Sequence, residues 1–96
     1  MAGFDARLIY TSATLSPAAV GANTTAEQSF ANIPLVEAGD MVIGVNKPTA
    51  QAGLGIVGQR VSAVGEISLT FSNNTIASIT PTASQVYYFA VMKRQP

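Results

Sequence analysis

Glu66-Ile67-Ser68-Leu69-Thr70-Phe71-Ser72 alternates polar and apolar residues without a break. A repeat of two is that of a β-strand, whose successive side chains point to opposite faces, so Ile67, Leu69 and Phe71 read as one buried face. Outward from this stretch the same period recurs. Residues 87–93 set Tyr87, Phe89 and Val91 against Tyr88, Ala90 and Met92, the pattern of a central strand apolar on both faces. Residues 40–46 set Met41, Ile43 and Val45 on one face, and Val42 opposite them predicts cover on both sides. Weaker strands are predicted over 7–15, 25–33, 56–63 and 75–80, where β-branched and aromatic residues suit a pleated surface better than a helix.

The punctuation between these runs agrees. Ser16-Pro17 through Asn23, Pro34 through Gly39, Ser72-Asn73-Asn74 and Thr80-Pro81 through Ser84 are turn-rich. Val64-Gly65 lies between two strands, where a tight hairpin needs a glycine able to take positive φ. Alanine-rich 17–28, interrupted by Gly21 and Asn23, reads as a loop leading into a strand. Residues 46–55 form a long loop of small residues, either a binding surface or an ordinary crossover between sheets. Turn signals roughly every ten residues between about seven short strands predict an antiparallel β-sandwich, jelly-roll-like. A chain of 96 residues holds one such domain, 1–96, with an arm at 1–6 and a short basic tail at 93–96.

Composition narrows function by what is missing. The chain is 48% apolar and 10% charged, with net charge zero and no Cys, His or Trp. Without His or Cys, the commonest general base, metal ligand and thiolate nucleophile are gone, so no enzyme is expected, and no metal or cofactor. Neutral, scattered charge predicts neither a nucleic acid nor a membrane partner. No apolar run approaches the ~18 residues of a membrane helix. Residues 1–10 carry Asp5 and Arg7 and do not read as a signal peptide. A small domain without disulfide or metal commonly gains stability from partner subunits, so oligomerisation or docking is expected.

Three local features fail as chemistry. Glu37 and Asp40 flank Gly39, but a calcium loop needs more oxygen ligands than this pair offers, and Asp40 is better placed to close a solvated turn. Gly53-Leu54-Gly55 with Gly58 matches a dinucleotide fingerprint in letters only, because a strand rather than a helix follows and no βαβ unit fits. The many Ser and Thr residues have no histidine to activate them. Among the aromatics, Tyr10 and one of Tyr87 or Tyr88 are candidates for exposure, which keeps glycan binding open beside the simpler reading as core.

Gly39-Asp40, the loop Asn46-Lys47-Pro48 with Ala52-Gly53-Leu54, the strand Arg60-Val61-Ser62-Ala63, the run Thr70-Phe71-Ser72-Asn73-Asn74-Thr75, Thr80-Pro81 and the closing strand with Tyr88 form one pattern. Over residues 24–92 it resembles the small β-sandwich structural proteins of tailed bacteriophages. The resemblance implies a virion protein: a head decoration or cement protein, commonly trimeric, that sits on the outer surface of the capsid and clamps neighbouring major capsid protein subunits. The alternative within the same group is a head-fibre or tail-appendage module that binds host-surface glycan. Candidate partner contacts are Phe4, Asp5 and Arg7 in the arm, Lys47, Pro48 and Leu54 in the long loop, and Lys93 and Arg94 in the tail.

Overall fold

A computed structural model describes residues 7–94. Six strands follow one another: β1 Leu8–Leu15, β2 Thr24–Phe30, β3 Met41–Asn46, β4 Leu54–Ala63, β5 Glu66–Asn73 and β6 Gln85–Met92. They form two antiparallel sheets of three, ordered β1-β6-β3 and β2-β5-β4. The chain is a small β-sandwich, and no helix occurs among the described residues. The two strands with the clearest alternation, β5 and β6, are the middle strands of their sheets. Their inward residues Ile67, Leu69, Phe71, Tyr87, Phe89 and Val91 are each 0% exposed and make up most of the core. Leu15, Val20, Ile33, Val36 and Val42 complete it.

The first and last strands are neighbours, Leu8 pairing with Met92 and Leu15 with Gln85, and the Lys93 N–H extends the ladder to the Arg7 carbonyl at 2.8 Å. Only β4 and β5 follow each other within one sheet. Their hairpin turns at Val64-Gly65, where Gly65 takes φ +68° as its place in the sequence requires. The same glycine donates to the Val36 carbonyl (2.8 Å) and accepts from the Ile33 N–H (2.9 Å), so the hairpin tip also fixes the incoming 31–36 segment. Residues 47–53 cross from the first sheet to the second, so this segment is a crossover.

Two expectations change. The strand expected over 75–80 is reduced to one bridge, Val20 with Ile79. The cause is Asn73, which is 1% exposed. Its Oδ1 accepts from the Thr75 N–H (2.9 Å) and hydroxyl (2.7 Å), and its Nδ2 donates to the carbonyls of Ala77 (2.8 Å) and Val20 (3.0 Å). A side chain that satisfies the local backbone this fully replaces a ladder with a turn, leaving six strands rather than seven. The second change is the facing of β3. Alternation puts Met41 and Ile43 with Val45 on the core side, yet Met41 and Ile43 are exposed and Val42 is buried. A register shift between Val42 and Gly44 is the reason: Val42 pairs with Val91 and Val45 with Phe89, both on the inner face, and Ile43 is the extra residue between them.

One inner residue carries an unused polar group. The Tyr87 hydroxyl is buried with no hydrogen-bond partner among the described residues, and burial raises its pKa. Tyr87→Phe keeps the ring and removes that cost, so it is expected to leave stability unchanged or raise it by about 1 kcal/mol. Urea unfolding of the two proteins checks this, and a clear loss of stability in the variant would show that the hydroxyl is bonded in solution.

Candidate interaction surface

The expected contact residues gather at two opposite ends of β6. Arg7 and Lys93 line one shallow depression together with Ile9, Leu35, Val36 and Glu37. Lys47 and Leu54 line another, with Val45, Thr49, Gln51 and Ile56, while Pro48 beside them is exposed. Phe4 and Asp5 lie outside the described residues, as does the arm they belong to.

Lys93 is not part of a free tail. It is 8% exposed and belongs to the fold. Its ammonium donates to the Leu35 carbonyl (2.7 Å) and pairs with Asp40 (2.5 Å) and Glu37 (3.1 Å). Asp40 closes the turn as expected, accepting from the Glu37 N–H at 2.9 Å while its own N–H donates to the Glu37 carbonyl at 3.1 Å. Its carboxylate is nevertheless buried rather than solvated, because Lys93 and the Arg94 N–H (2.7 Å) enclose it. Leu35 holds a positive φ of 68°, costly for a branched residue, with its carbonyl aimed at Lys93. Asp40 and Lys93 therefore clasp the 31–40 segment to the end of β6. Among the described residues no group of three or more His, Cys, Asp or Glu is arranged to hold a metal ion.

The long loop is tied down as well. The Lys47 ammonium donates to the Thr49 carbonyl and to Gln51 Oε1 (3.0 Å), and burial draws its pKa down. Thr49 bonds Gln85 at 2.7 Å, and Gln51 reaches the Thr80 carbonyl (3.1 Å) and the Thr82 N–H (3.1 Å). Its polar groups are spent holding the crossover to the 80–85 segment.

The surface that stands out is elsewhere. None of the residues of β1, β3 and β6 is charged. With Ile9, Val42, Phe89 and Val91 turned inward, the register places Leu8, Met92 and Met41 in one row across the outer face. Tyr10, Ala90 and Gly44 form the next row, followed by Ser12, Tyr88 and Asn46. Tyr10 is 71% exposed, Met41 61% and Leu8 58%, with Ile43, Val86 and Tyr88 also open. Tyr10 and Tyr88 lie diagonally on adjacent strands and stack, their centroids 5.5 Å apart and their rings 18° from parallel. Ser12, Thr14 and Asn46 supply a polar edge.

The outer face of the other sheet is built differently. Ser29, Ser68 and Ser62 form a hydroxyl chain with links of 2.7 Å, which ends on Glu66 at 2.6 Å. Arg60 reaches across β5 to Glu27 in a two-bond fork of 2.8 and 3.0 Å. Arg60 holds the Glu27 carboxyl below its ordinary pKa, and Glu27 raises that of Arg60. Apart from the exposed Val57 on the edge strand β4, this outer face is thus polar and internally paired. The other is apolar and has no charge.

Of the tyrosines that the sequence offers for exposure, Tyr10 and one of Tyr87 or Tyr88, the exposed pair is Tyr10 and Tyr88. Leu8, Met41, Ile43 and Met92 join them without being singled out by alternation. Their signal was present: three strands without charge, and a β6 apolar on both faces with material for only one core. Comparison with known proteins found no matching family model, no similar curated protein and no similar solved structure.

Proposed function

We propose that the chain is a non-enzymatic structural protein of a tailed-bacteriophage virion: a capsid decoration protein that binds the outer surface of the head and stabilises the shell by bridging major capsid protein subunits. The observation that carries this reading is the apolar, charge-free outer face of the β1-β6-β3 sheet. Water wets such a surface at a cost, and the largest apolar patch on a soluble protein is often the one it uses to bind. It has a use in an assembly, where it is covered. The sequence resemblance supplies the kind of assembly.

A decoration protein acts by mass action. Contacts made only to the assembled shell lower its free energy relative to its parts. Several weak contacts held together retain the protein far better than any one of them. In this reading Arg7 and Arg94 at one end, and Pro48 with the half-buried Leu54 at the other, are the groups offered to the shell, while Lys47 holds their loop in place.

The test adds the purified chain to tailed-phage heads stripped of decoration protein, then counts bound copies and follows the temperature at which shells open. Saturable binding in proportion to the number of capsid subunits, with a higher opening temperature, is the expected result. No binding to the shell would sink the reading. The exposed Tyr10–Tyr88 pair favours a second reading, the fibre or tail module that binds glycan. In that case the protein is found in a handful of copies per particle, and glycan binding disappears in Tyr10→Ala.

A further inference from the structure

We infer that a second copy of this chain covers the apolar face, so that the two β1-β6-β3 sheets pack outer face to outer face about a two-fold axis. This goes beyond the shell reading and stands whether or not a capsid is the particle that carries the protein.

Area is the first reason. Aromatic side chains bury on the order of 150–250 Å² each, and on that scale the open fractions of Leu8, Tyr10, Met41, Ile43, Val86 and Tyr88 amount to roughly 500 Å². This is the upper end of what a soluble monomer shows. Counted on both copies it is roughly 1,000 Å² before the rim is added, which reaches the lower bound for a biological interface and lies above most crystal-packing contacts.

Charge is the second. An unlike partner is usually oriented by charges that it complements, and this face offers none to complement. In a two-fold pair every residue near the axis meets its own kind, so a single charged side chain there would be buried against its like. A face without charge meets that condition in full. Its anatomy also fits: Tyr and Met at the centre, Ser12, Thr14 and Asn46 at the edge.

Shape is the third. Antiparallel sheets stack face to face about 10 Å apart with their strands within about 30° of one another, and an uncharged three-stranded face is suited to that packing. Met41 and Met92 are unbranched and fill irregular gaps between rows. Because the opposite outer face is polar and carries the Glu27–Arg60 pair, the association closes at two copies and does not propagate. A trimer, expected from the resemblance, needs two different complementary surfaces on each copy, and the sandwich presents one apolar face.

The test uses the full chain. Its mass is measured by light scattering after size exclusion over a dilution series, for the wild type, Met41→Lys, Tyr10→Lys and, as a control on the polar face, Thr25→Lys. The wild type and Thr25→Lys are expected at about twice the 9.9 kDa of one chain, and the two face variants at one chain, with unchanged far-UV circular dichroism. Intrinsic tyrosine emission gives a second measurement that needs no variant, since the chain has no Trp and Tyr10 and Tyr88 are two of its three tyrosines. It should change on dilution across the same concentrations as the mass. A wild type that is monomeric throughout, a trimer, or a dimer equally insensitive to Met41→Lys and Tyr10→Lys would overturn the inference. So would a wild type whose face is protected only when shells are added, since a shell subunit would then be the occupant. Shell binding by a monomeric wild type would leave the proposed function standing while this inference fails, and pairing without shell binding would do the reverse.

Discussion

Asp40→Ala is expected to cost about 3–5 kcal/mol of folding stability, the range for removing one partner of a buried ion pair. The loss is large because the Asp40 side chain, 1% exposed, is the shared acceptor for three donors: the Lys93 ammonium, the Arg94 N–H and the Glu37 N–H. Without it Lys93 is left buried beside an exposed Glu37, the 37–40 turn loses one of its two bonds, and the positive φ of Leu35 loses part of its support. Acid should reproduce the effect in the wild type. Burial by itself pushes the Asp40 carboxyl up, but the bonds from Arg94, Lys93 and Glu37 and the attraction of Lys93 together outweigh it and hold the pKa below the ordinary value. A depressed carboxylate stabilises the folded state above its unfolded pKa, and that contribution drains away as pH falls through the folded one. Stability should therefore be flat near neutrality and fall from about pH 4 downward. Lys93 is shifted up, chiefly by its bond to Asp40, so its share is present at and below neutral pH and is lost only in strong base. Urea unfolding of the wild type and Asp40→Asn between neutral pH and pH 3 checks this, because the acid slope should be much smaller in the variant. A wild-type slope unchanged by the substitution would show that Asp40 is not the titrating group.

The sandwich was legible because its middle strands are self-declaring. Ile67, Leu69 and Phe71 alternate with small polar residues, and Tyr87, Phe89 and Val91 recur at the same period of two, all of them fully buried. Val64-Gly65 announced the one hairpin within a sheet, where a positive φ is needed. What sequence could not deliver depended on contacts distant along the chain. Asp40 and Lys93 are 53 residues apart, and each alone reads as an ordinary surface charge. Asn73 reads as a turn former, and it takes Val20, also 53 residues away, to make it a buried tether that removes a strand. The facing of β3 depended on a single bulge at Ile43. A one-residue shift exchanges the faces of a strand, and no local signal marks where it falls. The apolar surface was hidden for a related reason. Alternation tells which residues share a face and leaves open whether that face is covered, so Tyr88 and Met92 look the same in sequence whether they meet a second layer of the same chain, another molecule or water.

Phe89 and Tyr88 are adjacent on β6 and separate the two kinds of burial in one experiment. Phe89→Ala is expected to cost about 3–5 kcal/mol, the usual range for emptying an aromatic site in a packed core. Phe89 is 0% exposed between Thr11 of β1 and Val45 of β3, in the cluster that joins the sheets, and the bulge that turns Val45 inward is built around it. For a domain this small, with a total stability of order 5–15 kcal/mol, that loss should leave the variant partly unfolded at mild urea concentrations. Tyr88→Ala removes a ring of similar size from the other face of the same strand. Within one chain it gives up the stack on Tyr10, worth about 0.5–1.5 kcal/mol, and the part of its ring already covered, since it is 38% exposed, but it leaves no hole in the core. Its larger effect should appear in how stability depends on protein concentration. If two copies share this face, the wild-type midpoint rises as the protein is concentrated, because pairing draws the folded state forward by mass action. Phe89→Ala should lower the whole curve and keep that slope, whereas Tyr88→Ala should lower the dilute limit less and flatten the slope. Thermal unfolding at several protein concentrations reads both quantities at once. Equal slopes in all three proteins would mean that the face of Tyr88 is not where the copies meet, and equal dilute-limit midpoints would mean that Phe89 is not the core residue its position makes it.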